Sequence, residues 1–152
     1  MSYTKELTWK QLQKYDSVMG LNVSADYLGA YLAGQKRFNV PDWLLQKWED
    51  DLRVKKLEDK QLADTVRNNN RGIAYEKEGN IKFAIKIYEK NLEIGYPATH
   101  SYNRLMIIYH KEKRYEDEIR VIKKAIEVFS SDARYSKDVI KWKERLNKLT
   151  NK

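Results

Sequence analysis

Residues 71–97, RGIAYEKEGNIKFAIKIYEKNLEIGYP, contain two stretches with helical spacing of apolar residues, separated by Gly79 and Asn80 and ended by a Gly-Tyr-Pro sequence. Glycine and proline are the residues that most often end helices and form turns. The pattern therefore predicts a helical hairpin. A single hairpin cannot bury its apolar face alone, so we expect this one to stack on neighbouring helices.

The pattern recurs 34 residues later. Shifting the stretch by one period aligns Tyr75 with Tyr109 and Ile85 with Ile119, and the register continues without a gap through Leu92 and Ile126, Glu93 and Glu127, Ile94 and Val128. A helix-turn-helix period of this length is typical of arrays of stacked hairpins. The sequence predicts an all-α C-terminal region (61–152): hairpins at about residues 65–98 and 99–132, then a capping helix at 132–149.

These residues resemble the tetratricopeptide repeat family. The first repeat has small, aromatic and aliphatic residues where the family pattern has them: Gly72, Tyr75, Gly79, Ala84, Tyr88, Leu92 and Pro97. We expect Gly72 and Ala84 to let the two helices approach closely. The second repeat keeps Leu105, Tyr109, Tyr115, Ala125 and Ile126, but has Met106 and Glu118 at the Gly and Ala positions.

The resemblance implies a short α-solenoid whose first helices line a groove that binds a peptide or protein segment. Carried over by register, the groove positions of the two repeats and the capping helix are Asn69, Ile73, Glu76, Lys77, His100, Asn103, Ile107, His110, Lys111, Lys137 and Lys141. The two asparagines lie one period apart, and their amides can hydrogen-bond an extended peptide. The lysines favour an acidic partner. A solvated basic face with no dedicated ligand is the alternative.

A separate small helical domain is expected at residues 1–60. Apolar spacing predicts a first helix over residues 5–19, a second with Ser24 as N-cap, a loop over 33–39, and a third helix that opens at Pro41. Its buried stripe would include Trp43, Leu44, Trp48 and Leu52, and Trp9, Trp43 and Trp48 would pack the domain against the first repeat.

Two weaker resemblances in this region suggest DNA binding. The register of Leu7, Thr8, Leu12, Gly20, Leu21 and Ser24 is similar to the first helix and turn of the SAP motif, and residues 24–41 are similar to a repressor helix-turn-helix. The best candidates for nucleic-acid contact are Lys36 and Arg37. The alternative function is therefore a DNA-associated regulator or a phage or mobile-element accessory protein.

The formal charge of +8 is not evenly distributed. Residues 1–64 hold 10 Lys/Arg and 10 Asp/Glu, so the whole excess lies in residues 65–152. Because phosphate neutralisation supplies most non-specific DNA affinity, the neutral N-terminal region does not favour DNA contact.

Catalysis is not expected. The chain has no cysteine, which excludes thiolate nucleophiles, disulfides and thiolate metal sites. His100 and His110 are ten residues apart, about 15 Å along an unbroken helix, so they cannot share a metal. We therefore expect a non-enzyme without metal or cofactor, cytoplasmic because no signal-like or membrane-length apolar run occurs.

Self-association is a third alternative function. Two repeats are fewer than the three that arrays usually need, so exposed hairpin faces can pair between chains in a homodimer.

Overall fold

The computed structural model describes residues 3–151 and is mostly helical, which confirms the all-α class. The chain divides into two compact units, residues 1–59 (unit 1) and 60–152 (unit 2). The boundary falls within one long helix, α4 (Asp42–Lys77).

Unit 1 contains a pair of strands as well as helices. Its elements before α4 are β1 (Thr4–Thr8), α1 (Trp9–Gln13), α2 (Asp16–Met19), α3 (Leu21–Leu32) and β2 (Arg37–Pro41). The strands are antiparallel, with Leu7 opposite Phe38. Residues 4–8 and 37–41, expected in a helix and at a loop–helix junction, therefore form strands.

The change from strand to helix occurs at Thr8. The Thr8 hydroxyl accepts a hydrogen bond from the Gln11 backbone N–H, and the Gln11 side chain accepts one from the Thr8 backbone N–H. This reciprocal capping box satisfies two N–H groups at the start of α1. The helix expected over residues 5–19 therefore begins only at Trp9.

The predicted N-cap at Ser24 is also wrong. Gly20 ends α2 with φ +89°, and α3 starts at the next residue, Leu21. Ser24 lies within α3, where its hydroxyl donates to the Asp16 carboxylate.

The core of unit 1 forms where the sheet, α1, α2 and α4 meet, and its buried members are Leu7, Leu12, Tyr15, Met19, Phe38, Val40, Trp48 and Leu52. Trp48 and Leu52 are buried as predicted, and Leu44 packs against the cluster. Trp43 is 68 % exposed, so its predicted burial is wrong. Trp9 lies against unit 1's own core and stacks on Tyr31.

Unit 2 consists of the second half of α4 and four further helices: α5 (Ile81–Ile94), α6 (His100–Lys111), α7 (Tyr115–Phe129) and α8 (Ser136–Thr150). Consecutive helices from α5 to α8 pack on one another. Their apolar faces form one core cluster, which includes Tyr88, Tyr102, Leu105, Tyr109, Ile122, Phe129 and Trp142.

The turn and close-approach positions agree with the sequence. Gly79 and Gly95 adopt positive φ at the predicted turns. A Cβ atom on Gly72 would lie 2.2 Å from Cε1 of Tyr88, which confirms the close approach predicted there. The capping helix expected from residue 132 begins at Ser136, after a 3-10 turn (Ala133–Tyr135) that the Asp132 carboxylate caps.

Candidate functional site

Three helices of unit 2, α4, α6 and α8, are joined side by side through polar contacts. The Arg104 guanidinium of α6 binds the Glu76 carboxylate of α4 through two nitrogens, at 2.5 and 3.1 Å. On the other side of α6, the Trp142 indole N–H donates to Asn103 Oδ1 at 3.0 Å. The predicted groove residues all lie on these three helices.

Glu76 is held by its neighbours and is not free for a ligand. Tyr88 Oη donates to it at 2.6 Å in addition to Arg104. Burial alone would raise the pKa of Glu76, but the hydrogen bonds from Arg104 and Tyr88 outweigh burial and hold that pKa below its ordinary value. Glu76 therefore remains ionised and positions Arg104.

The two predicted asparagines use their oxygens inside the protein. Asn69 Oδ1 accepts from Asn91 Nδ2 and from Ser101 Oγ, and Asn103 Oδ1 accepts from Trp142. Within residues 3–151 neither Asn69 nor Asn103 uses its Nδ2 group in a hydrogen bond. The contacts fix the two amides in orientation and leave the Nδ2 donors of both available to a ligand.

His100 lies partly inside the unit. Its ring packs edge-on against Tyr88, and its Nε2 is buried with no hydrogen-bond partner among the described residues. Burial, with the nearby Arg104 charge, lowers the pKa of His100, so the ring is neutral at pH 7. Its surroundings suit a packing role better than contact with an anionic ligand.

A cleft of about 610 Å³ lies between α6 and α8. It brings together three predicted groove residues, Asn103, His110 and Lys141. Lys137 is exposed on α8 but does not line the cleft. The lining residues that the sequence did not single out are Met106, Asp138, Trp142, Glu144, Arg145 and Lys148.

Two residues that line the cleft, His110 and Arg145, contact a fully buried carboxylate, Glu118 of α7. Arg145 binds its Oε2 at 2.7 Å, and His110 Nδ1 lies 2.8 Å from its Oε1. Arg145 also donates to the backbone carbonyl of Met106 at 3.1 Å. The Arg145 charge is therefore used to satisfy Glu118, and it positions α8 against α6.

The predicted groove positions of α4, α6 and α8 and the residues that line the cleft together make up what we call the face. Its unpaired charges are predominantly positive. Within residues 3–151, five lysines that line it form no ion pair, and neither do two acids, Asp138 and Glu144. The five are Lys77, Lys111, Lys137, Lys141 and Lys148. Inside the cleft itself Lys141 and Lys148 face the two acids, so the excess positive charge comes from the surrounding face.

The α4 part of the face is apolar rather than polar. Leu62, Val66 and Ile73 follow one another at helical spacing with Asn69, and the first two are exposed. Ile107 of α6 is exposed too. Ile73 and Ile107 were predicted, whereas Leu62 and Val66 lie upstream of the stretch that the repeat pattern covers. Extending the spacing of 69 and 73 backwards by one helical turn at a time identifies both.

The DNA-contact candidates lie in unit 1. Lys36 is exposed before β2, whereas Arg37 is part of β2 and its Nε lies 3.8 Å from the Glu6 carboxylate. The helix that would act as a recognition helix, α3, contains no Lys or Arg. Helix α3 therefore provides no basic residue for DNA contact in addition to Lys36 and Arg37.

Comparison with protein-family models, with curated proteins and with solved structures gave no match. Within residues 3–151, no cluster of three or more His, Asp and Glu side chains could hold a metal ion. Nor does any helix in that range have the length and apolar character needed to cross a membrane.

Proposed function

We propose that unit 2 is a peptide-binding module of the tetratricopeptide repeat type, which makes the protein a non-enzymatic adaptor. The observation that carries the proposal is the cleft between α6 and α8, where Asn103, His110 and Lys141 come together. The gapless 34-residue register and the packing of consecutive helices support the same assignment.

The chemistry of the face supports one class of partner. Leu62, Val66, Ile73 and Ile107 offer apolar contact, and the unpaired lysines attract carboxylates. The fixed Asn69 and Asn103 amides donate to backbone carbonyls of an extended chain. The ligand is therefore an extended segment with apolar residues next to acidic ones.

The test uses fluorescein-labelled ten-residue peptides that contain Leu and Glu, with peptides that contain Leu and Lys as the charge-reversed set. Fluorescence polarisation is measured with the wild-type chain and with K141E/K148E. Because both lysines line the cleft, we expect the double variant to bind the acidic set at least about tenfold more weakly, a loss of about 1.4 kcal/mol.

The matched control is K123E/K124E, which makes the same charge change at exposed positions of α7. It should retain binding within about twofold, a difference of less than 0.5 kcal/mol. Equal losses in the two variants would show a non-specific charge effect, and absence of binding to the acidic set would refute the proposal.

A further inference from the structure

Helix α3 of unit 1 contributes no buried side chain. Leu21, Leu28 and Leu32 are 90 %, 46 % and 75 % exposed. An adjacent side of α3 is fixed, because Tyr31 stacks on Trp9 with ring centroids 4.3 Å apart and Tyr27 lies edge-on to Phe38 and Trp48. The leucines therefore face solvent on a helix that the rest of unit 1 holds in place.

Four of the exposed residues of α3 form one straight stripe. Leu21, Ala25, Leu28 and Leu32 are separated by four, three and four residues, the spacing of the contact seam of a pair of packed helices. The only charged residue of α3 is Asp26. We call these four residues the leucine stripe.

We propose that the leucine stripe pairs with the same stripe of a second copy of this chain in an antiparallel helix pair. The spacing of the stripe reads the same in both directions, so reversal places Leu21 opposite Leu32 of the second copy and Ala25 opposite Leu28. Each large side chain at the centre thus meets a small one, which lets the helices approach closely. A parallel pair would instead place Ala25 opposite Ala25 and leave a gap.

The charge of α3 favours a second copy over other occupants. Helices that lie in a membrane interface carry Lys or Arg on their polar face, and α3 has neither. Because the stripe is uncharged, two identical stripes can pair without repulsion between like charges. One pair of helices of this length buries less than the roughly 1,200 Å² of a stable interface, so the dimer is weak and forms in a concentration-dependent way.

The experiment is sedimentation velocity on the full chain, from about 10 µM to about 1 mM, the range in which weak dimers dissociate. The wild-type mass should rise from 18.2 kDa towards twice that value. L21E/L32E places Glu opposite Glu and should remain monomeric. L21E/L32K places Glu opposite Lys in the antiparallel pair only, so it should dimerise again.

All substituted positions are exposed, and far-UV circular dichroism checks that each variant is folded. V54E changes an exposed residue of α4 outside the stripe and should dimerise like the wild type. A wild-type chain that stays monomeric to the highest concentration overturns the proposal, and so does loss of dimer in V54E. A monomeric L21E/L32K overturns the antiparallel register. Co-sedimentation of monomer with phosphatidylcholine vesicles would assign the stripe to a lipid surface instead.

Discussion

The two helical hairpins of unit 2, α4–α5 and α6–α7, share one 34-residue register but fill it with different side chains. In the first, Gly72 leaves space that the fully buried Tyr88 ring occupies. One period later the same two positions hold Met106 and Ile122, both buried. Two side chains of intermediate size thus stand where the first hairpin has a glycine and a large aromatic ring. The shared register therefore does not specify residue type at this contact between helices.

The hairpins also bury their polar groups at different positions. The first buries the amide of Asn91, and its counterpart one period later is Ala125. The second buries the carboxylate of Glu118, where the first has Ala84. Both of these groups are satisfied, Asn91 by residues of α4 and α6 and Glu118 by residues of α6 and α8.

The largest expected effect comes from removing the partner of the buried carboxylate. R145M leaves Glu118 charged, fully buried and held by His110 alone. Breaking one side of a buried ion pair costs about 3–5 kcal/mol, so we expect a loss of that size in the free energy of unfolding, measured by urea denaturation.

Two controls isolate the buried charge. E118Q/R145M should lose less than R145M, because no unpaired charge remains. R104M removes a partner of Glu76, which keeps its Tyr88 hydrogen bond and is 17 % exposed, and should cost about 1 kcal/mol. Equal losses of unfolding free energy in R145M and E118Q/R145M would contradict our attribution of the loss to an unpaired buried charge on Glu118.

The second effect tests the close packing of the first hairpin. G72A introduces a methyl group where the Tyr88 ring already lies, and Tyr88 is fully buried and cannot move aside. We expect a loss of about 3 kcal/mol, the upper end for overpacking, measured by urea denaturation.

G29A is the matched control, since a Cβ on Gly29 of α3 meets nothing within 4 Å. It should stabilise unit 1 by about 0.4–1 kcal/mol through the unfolded state. If G72A has the same free energy of unfolding as the wild type, the two helices can move apart to admit the methyl group without loss of stability.

The third effect concerns the buried amide. Asn91 accepts from Asn68 Nδ2 at 3.0 Å and donates to the Thr65 carbonyl and Asn69 Oδ1 at 3.1 and 2.9 Å. N91A copies the second hairpin's Ala125 but removes all of these hydrogen bonds and leaves the buried Asn68 amide without its acceptor. We therefore expect a loss of about 2 kcal/mol. The reciprocal A125N buries an amide without that network and should also destabilise. If N91A unfolds at the wild-type urea concentration, the network contributes nothing.

Much of unit 2 could be predicted because its determinants are local. Gly79 and Gly95 mark the turns, and the 34-residue period places Tyr75 and Tyr109 at equivalent positions of the two hairpins. The site was less predictable. The spacing showed that Asn69 and Asn103 lie on the same helical face, but not that Asn91, Ser101 and Trp142 hold their oxygens, because those contacts depend on packing between helices.

Unit 1 was harder to predict for the same reason. Residues 4–8 form a strand only because residues 37–41 pair with them, and the pattern of a short segment does not reveal a distant partner. The alternation of buried Phe38 and Val40 with exposed neighbours was the available signal. Within α4, residues 53–64 contain no Gly or Pro, so no helix-breaking residue interrupts the helix there.

The smallest effect tests the turns. Gly79 and Lys113 lie one period apart, and both adopt left-handed backbone, with φ of +78° and +60°. A side chain in this conformation costs about 1–2 kcal/mol. Replacing it with glycine removes that cost, but the greater flexibility of glycine stabilises the unfolded state and offsets part of the gain. K113G should therefore stabilise the protein by about 0.5–1 kcal/mol in thermal unfolding, and G79K should destabilise it by a similar amount. Opposite signs at equivalent positions would show that the register dictates the turn backbone in both hairpins, and that the second keeps it despite an unfavourable residue.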